Sequence, residues 1–596
     1  MKIVHDFQGS TIKGIGDDNF ILTNGIGGYA SLSDENVTKF QGVYFTEGFE
    51  CYKVIENIFT EGKTNILINR FTYVARDKED CIEYFFMPRG KNAFIYELSK
   101  KKEVHIILDC RKQLDFDDRG RKYRIYFKDG IIFIDYSKTN RNKIDYHIYI
   151  AIIPNDWDYK KVSKWEERNY SYDIRRGSLS KLWVYNSLVI TTSRIVFGFG
   201  TNEEKAKENA LSIRDTKINS ELPSVELKFI LDQKVNMAYL CAQQSLYKLI
   251  TSINNEEGIF AGFYWFNQFW TRDELVSVGA LLALKDFSLA KKILMKQLKY
   301  IGEDGRLPNR NPPTNNESAD SIGWLFKRFY DLFKILEKRG VIEKYFSNKE
   351  IRQIKITTEK VIHSIIKNYS DDGVLIRNNL QETWMDTKQA CRDGLRIEIQ
   401  ALQLAIYRFL ALISSITKDS VSLRYADYKE KELKKKVRET FWNGHYLKDG
   451  KDDETIRPNI FLVYYVYPYL LSRKEWVKCF DNILPRLYTG FGLSSLDIHN
   501  KSFHPYHTGE NDESYHNGDS WYWLNNIAAI SLYKVAKFKY AKYIHNIMWG
   551  STNDLLWQGI PGAASEISSA KKQEAFGAFC QAWSNATYIE MIKELF

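Results

Sequence analysis

The hydrophobic period of this chain changes once, near residue 226. Before that point short runs of β-branched and aromatic residues dominate. They are 93–99 (AFIYELS), 103–109 (EVHIILD), 123–128 (YRIYFK), 131–136 (IIFIDY), 145–153 (DYHIYIAII) and 194–199 (RIVFGF), several alternating with polar residues. A period of two with this composition predicts strands, and Asp129-Gly130 between two of the runs predicts a hairpin turn. Residues 202–216 read as a short connecting helix. Many short strands with turn signals predict an antiparallel β-sandwich domain over residues 1–225.

Residues 226–596 follow a helical period. Twelve patterns are visible, at 229–252, 272–285, 287–301, 318–339, 348–369, 394–416, 424–441, 457–471, 473–486, 518–537, 539–549 and 575–594. Each even-numbered pattern follows a long segment rich in Trp, Asp, Asn, Arg, Gly or Glu, whereas the turns after it are mostly short, the length that joins antiparallel neighbours. Six helical hairpins is the arithmetic of an (α/α)6 toroid. In that arrangement the even helices lie inside, their N-termini point to one end, and all six long loops meet there as a single pocket.

Composition narrows what that pocket does. The 596 residues are 44% hydrophobic, 27% charged and 15% aromatic, a soluble globular balance with a surplus of rings. Ring faces build cores, and exposed ones stack on the apolar face of a pyranose. The net charge of +10 is spread without a basic tail, so no nucleic-acid partner is expected. Seven scattered cysteines without a CxxC pair argue against a disulfide framework or a zinc site and favour a reducing, cytoplasmic compartment. The N-terminal residues lack the apolar stretch of a secretory signal. The most apolar run, 460–471, is too short for a bilayer and contains Pro468, so no membrane partner is expected. No Walker loop, GxSxG elbow or dinucleotide fingerprint is present, and Gly25-Ile-Gly-Gly28 reads as a tight loop. No cofactor is called for.

The long loops carry the candidate chemistry. Arg272 and Asp273 can donate to and accept from neighbouring sugar hydroxyls, with Trp265 and Trp270 as stacking walls. Glu382, Trp384 and Asp386 stand together before the sixth helix; a Trp beside a carboxyl raises its pKa by desolvation, as a general acid requires, while spacing alone equally describes an N-cap or turn Asp. Arg392, Asp393 and Glu398 follow; Glu398 interrupts an apolar helix face and needs a partner, either a ligand or an Arg. His504, His507 and His516 do not have a zinc spacing and read as part of a polar, aromatic rim. Glu566 stands in a small-residue stretch before the twelfth helix. In a six-hairpin ring the loops bearing Asp386 and Glu566 face each other. Opposed carboxyls roughly 6.5–9.5 Å apart suit an inverting glycosidase, one protonating the leaving oxygen and the other activating water.

These segments resemble the glucosidase part of glycogen-debranching enzymes, the amylo-α-1,6-glucosidase family in its short archaeal and bacterial form. The resemblance runs through 23–31 (TNGIGGYAS), 261–266 (AGFYWF), Arg272-Asp273, 383–386 (TWMD), 392–399 (RDGLRIEI), Arg457-Pro-Asn459, Gly492-Leu493, 515–524 (YHNGDSWYWL) and 581–584 (QAWS), in that order. It implies Asp386 as general acid and Glu566 as general base, with substrate held by Trp265, Arg272, Asp273, Trp384, Arg392, Glu398, His516, Trp521 and Trp583. The chain departs from the family pattern at Thr271, Glu274 and Ala390-Cys391, which leaves the leaving-group preference open. The expected partner is glycogen or a limit dextrin trimmed by another enzyme, because no segment here matches a transferase barrel. The expected activity is inverting, exo-acting release of glucose from α-1,6 branch stubs. A glucoamylase- or trehalase-like α-glucosidase on the same fold, or a non-catalytic glucan-binding protein, is the alternative.

Overall fold

In the computed structural model the described residues are 1–7, 9–140, 143–156, 158–218, 230, 232–314 and 317–596. They form two compact units, residues 1–257 with 555–563, and residues 258–554 with 564–596. The expected boundary at residue 225 lies outside the described residues, as does the start of the first helical pattern at 229. The first unit reaches past that point because helix Gln233–Leu249 is bonded to it. Thr23 Oγ1 donates to the Lys248 carbonyl at 2.9 Å, Lys248 Nζ donates to the Ile21 carbonyl at 3.0 Å, and the Ser245 hydroxyl donates to the Gly562 carbonyl.

The first unit is organised by two long strands, Ala93–Lys112 and Lys181–Gly200, which pair antiparallel with register shifts. Such bulges bend a strand and let its two halves take different neighbours. The first half of Ala93–Lys112 pairs with Ile82–Phe86 and the second with Glu50–Phe59. The second half of Lys181–Gly200 pairs with Lys143–Pro154 and the first with Asp158–Asn169. The first fifteen described strands therefore form one branched network. One pair, Lys2–Phe7 with Thr64–Asn69, runs parallel, which corrects the all-antiparallel expectation. The main apolar cluster draws on both branches, including Ile3, Val54, Phe94, Leu108, Ile150 and Phe199. On another face, Ala206 and Ala210 of helix Glu203–Ser212 cover Ile95, Phe133 and Val196.

The second unit is helical. Each of the other eleven patterns has its helix. The largest departures are 539–549, whose helix continues to Trp557, and 575–594, whose helix starts only at Ala582. Six helices are numbered here: α1 (Thr271–Ala283), α2 (Ser321–Arg339), α3 (Ile397–Ile416), α4 (Asn459–Val466), α5 (Tyr522–Ala536) and α6 (Ala582–Leu595). Each packs on the next, and α6 packs on α1, so the contacts form a closed circuit. These are the even-numbered patterns of the sequence. Their composition follows from burial on all sides: every residue of α1 from Thr271 to Leu282 is buried. Helix α3 is apolar and long enough to cross a bilayer, yet 72% of that stretch is core. By contrast, helix Ser420–Phe441 buries only Ala426, Leu433, Val437 and Phe441, one narrow stripe against α3.

The two classes also begin differently. Helices Phe287–Gln297, Asn348–Tyr369, Ser420–Phe441 and Arg473–Leu487 are capped by Asp286, Ser347, Asp419 and Ser472, twice with a full capping box. None of α1 to α6 has a side-chain N-cap. Instead, four of them start directly from, or one residue after, a two-residue β-ribbon: Phe269–Trp270, Gly394–Leu395, Ser520–Trp521 and Cys580–Gln581. Three ribbons join loops that precede different helices. Phe269–Trp270 pairs with Arg310–Asn311, Ser520–Trp521 with Ile567–Ser568, and Cys580–Gln581 with Gly262–Phe263. The long loops are thus stapled to one another where α1, α2, α5 and α6 begin.

Candidate active site

The first turn of α1 sets the geometry. Arg272 is buried, and its Nε donates to Asp320 Oδ2 at 2.7 Å, immediately before α2. Its Nη1 reaches Asp386 Oδ2 at 3.4 Å, on the loop before α3. Burial alone would favour loss of the guanidinium proton, but Asp320 and Asp386 outweigh it and hold the charge. Asp386 is closely surrounded by protein, yet 32% of its side chain is exposed. His516 Nε2 approaches Asp386 Oδ1 at 3.6 Å. Burial opposes the charged carboxylate, but His516 and then Arg272 prevail, so the group sits below the usual Asp range.

This corrects the expectation that Trp384 raises Asp386. Trp384 is buried, and its Nε1 donates to Asn459 Oδ1 at 2.7 Å. It belongs to a floor of rings. His516 stacks on Trp521 with centroids 5.1 Å apart, Trp384 meets both edge-on, and Trp523 stacks on Trp583 at 4.6 Å. His516 itself is fully buried with its pKa lowered by that burial. His507 of the same segment is engaged elsewhere: it pairs with Asp519 at 2.7 Å and stacks on Phe576. Among the described residues no group of three or more His, Cys, Asp or Glu is placed to hold a metal.

Glu566 is 2% exposed. The Tyr515 hydroxyl donates to its Oε1 at 2.6 Å and the Ala578 amide to its Oε2 at 3.0 Å. Space for this carboxylate comes from Gly577, at φ +67°, where a Cβ would stand 2.1 Å from Oε2. Asp273 is buried and accepts a 3.0 Å hydrogen bond from Gln581 Nε2. Its pKa is pushed up to about 8, first by burial and then by the charges of Glu566 and Asp386, against Arg272. Tyr515 is likewise pushed up by burial, by Glu566 and by Asp386. Asp273 and Tyr515 therefore each feel both carboxylates.

Two predicted substrate contacts are placed otherwise. Arg392 and Glu398 are buried and close on each other through Nη1–Oε1 and Nη2–Oε2 at 2.6 and 2.9 Å. Arg392 also grips Asp449, whose Oδ1 accepts from Asn459 Nδ2, the same residue that holds Trp384. The network supports the ring floor and has no donor left over for a sugar on the Arg392 fork. Trp265 lies half-buried between Tyr264 and Phe266, just past the ribbon that carries Gln581. Sequence reasoning missed Asp320, Asp449, Tyr515, Gly577 and Gln581 as individual residues. Tyr515 and Gln581 fall inside segments already singled out, 515–524 and 581–584; the others carry no local signal. Glu382 and Glu274 are structural: Glu382 pairs with Arg306 at 2.8 Å, and Glu274 accepts from Lys296 at 2.7 Å and from the Ile259 amide.

The model of one family, described as amylo-alpha-1,6-glucosidase, matches residues 229–590, which contain every residue named above. The chain belongs to this family. Among solved structures, a bacterial glucoamylase complexed with acarbose shares its fold, with a TM-score of 0.61 at 12% identity over 98% of this chain and 95% of that one. The fold likeness covers both the β-sheet region and the helical part. An uncharacterized conserved protein from Thermus thermophilus aligns with a TM-score of 0.46 at 10% identity, over 59% of this chain and 98% of that one. Non-toxic nonhemagglutinin type E of Clostridium botulinum is 25% identical over 329 residues, 49% of this chain. The match spans 28% of that relative's length.

Proposed function

We propose that the protein is an inverting, exo-acting amylo-α-1,6-glucosidase that releases glucose from α-1,6 branch stubs of glycogen or limit dextrin. One observation carries it: the adjacent residues Tyr515 and His516 reach Glu566 at 2.6 Å and Asp386 at 3.6 Å respectively, so one short segment touches both carboxylates. Asp386, partly exposed beside Arg272 and His516, is the general acid. Glu566, held by the Tyr515 hydroxyl and the Ala578 amide, is the general base that activates water. The closed circuit of α1 to α6 supports reading the helical unit as an (α/α)6 toroid with this pocket at the helix N-termini. The acarbose bound by the glucoamylase of similar fold supports an oligosaccharide as substrate.

Asp386 must carry a proton to act as an acid, and in the open pocket its pKa is lowered. A sugar filling the recess removes the water that reaches its exposed third, and desolvation then favours the neutral carboxyl. The alkaline limb of kcat therefore lies at higher pH than that of kcat/KM, since the first reports the complex and the second the free enzyme. Asp386→Asn and Glu566→Gln each lower kcat for limit dextrin by about a thousandfold or more, with KM little changed. Near-normal turnover in either variant sinks the assignment. Isomaltose, panose, maltotriose and trehalose, assayed side by side, discriminate the α-1,6 reading from α-1,4 or α-1,1 hydrolysis.

A further inference from the structure

The first unit contains a cavity of about 920 Å³. It opens between residues 22–23, residues 71–72, the strand end at 86–89, residues 216–218 and helix Gln233–Leu249. Three cations line it, Arg89, Lys217 and Lys248, and no carboxylate does among the described residues. Arg89 is fixed without using its donors. Its guanidinium lies over the Tyr247 ring at 4.2 Å and close to Gly25, where a Cβ would stand 2.7 Å from Cζ. This gives the Gly25-Ile-Gly-Gly28 loop a role that the helical pocket leaves unused. Gly25, at φ +70°, clears the space in which Arg89 stacks. Arg89 and Lys217 form no ion pair with a described residue, and both are exposed at the cavity. Deeper in, Gln244 is 2% exposed, and its amide nitrogen is buried without a hydrogen-bond partner.

An arginine held in place by a ring, with its fork unspent and lysines lining the same cavity, is a receptor for a dianion. A buried amide donor without an acceptor calls for an oxygen from a ligand. Phe86, which also lines the cavity, is an aromatic ring of the kind that packs on a pyranose. The volume lies within the roughly 300–1,000 Å³ typical of small-molecule sites. We propose that this cavity binds a sugar phosphate, its phosphate on Arg89 and Lys217 and a sugar oxygen on Gln244. The site is separate from the one that hydrolyses glucan and does not depend on the assignment of that activity.

Calorimetric titration of the full chain with glucose 1-phosphate, glucose 6-phosphate, inorganic phosphate and glucose tests it. One site per chain is expected for a hexose phosphate. The affinity should fall about tenfold or more in Arg89→Ala, and again in Lys217→Ala, whose exposed side chain is not needed for folding. Glu566→Gln should bind the probe as the parent does, and glucose release by Arg89→Ala without probe should be unchanged. Absence of binding at millimolar probe, or affinity in both cavity variants equal to the parent's, overturns the site. Loss of binding in Glu566→Gln would move the ligand to the helical pocket and overturn it too. Inorganic phosphate binding as tightly as the hexose phosphates would overturn the sugar part of the assignment.

Discussion

Asp273 is the residue at which burial and charge meet most sharply. In the folded protein it keeps its proton up to about pH 8, whereas an unperturbed Asp releases it at about 4. Between those values the folded state binds a proton that the unfolded state does not, so stability falls as pH rises across that window. Asp273→Asn cannot lose a proton and can still accept from Gln581. Its Tm should therefore decline less than the parent's between about pH 4 and 8, which a pH series of thermal melts reads directly. Parallel melting curves would reject the buried-proton account. Arg392 makes the opposite case. Arg392→Met leaves Glu398 buried without its cation and Asp449 paired with Arg396 alone among the described residues, and should cost about 3–5 kcal/mol in denaturant unfolding. The sequence singled out Asp386 and Glu566 because each stands in a distinctive loop. It also offered Arg392 and Glu398 as sugar contacts, since an Arg and a Glu six positions apart read the same whether they face a ligand or each other. Asp449, which decides the matter, lies 57 positions from Arg392 and carries no motif.

Among the elements, the clearest division is between helices that cap themselves and helices that do not. Ser472 and Glu475 form a capping box on Arg473–Leu487. Ser472→Ala should cost about 1 kcal/mol of stability, seen as a lowered denaturant midpoint, and leave turnover untouched. The uncapped six depend on the ribbons and on their own packing. A glycine at buried Leu404, in the middle of α3, should therefore cost at least about 3 kcal/mol, from lost burial and helix propensity together. The helices were legible because each spans several periods of an apolar pattern. The ribbons were not, because two residues contain no period at all. The last helix was read too early for a related reason: 575–581 is apolar enough to pass for helix, but it is an irregular segment, bridged at Phe576 to Ile567, followed by a ribbon strand.

For the whole molecule, the prediction concerns product. If water is activated by Glu566 on the face opposite Asp386, NMR of the reaction in progress shows β-glucose first, with the α anomer growing only by mutarotation. An α-first product excludes inversion. The β-sheet region precedes the change of period near residue 226 and the helical part follows it, whereas the compact units divide at residue 257. The first unit claims helix Gln233–Leu249 and residues 555–563 through hydrogen bonds between residues hundreds of positions apart, which no local pattern encodes. The ribbons, finally, bear on time as well as on shape. A loop anchored only at its own ends can open alone, whereas loops stitched to one another open together or not at all. Their amide protons should then exchange with solvent as one slow cooperative set, at rates close to those of α1, α5 and α6. The rim of this pocket would thus behave as part of the rigid scaffold and not as a collection of mobile flaps.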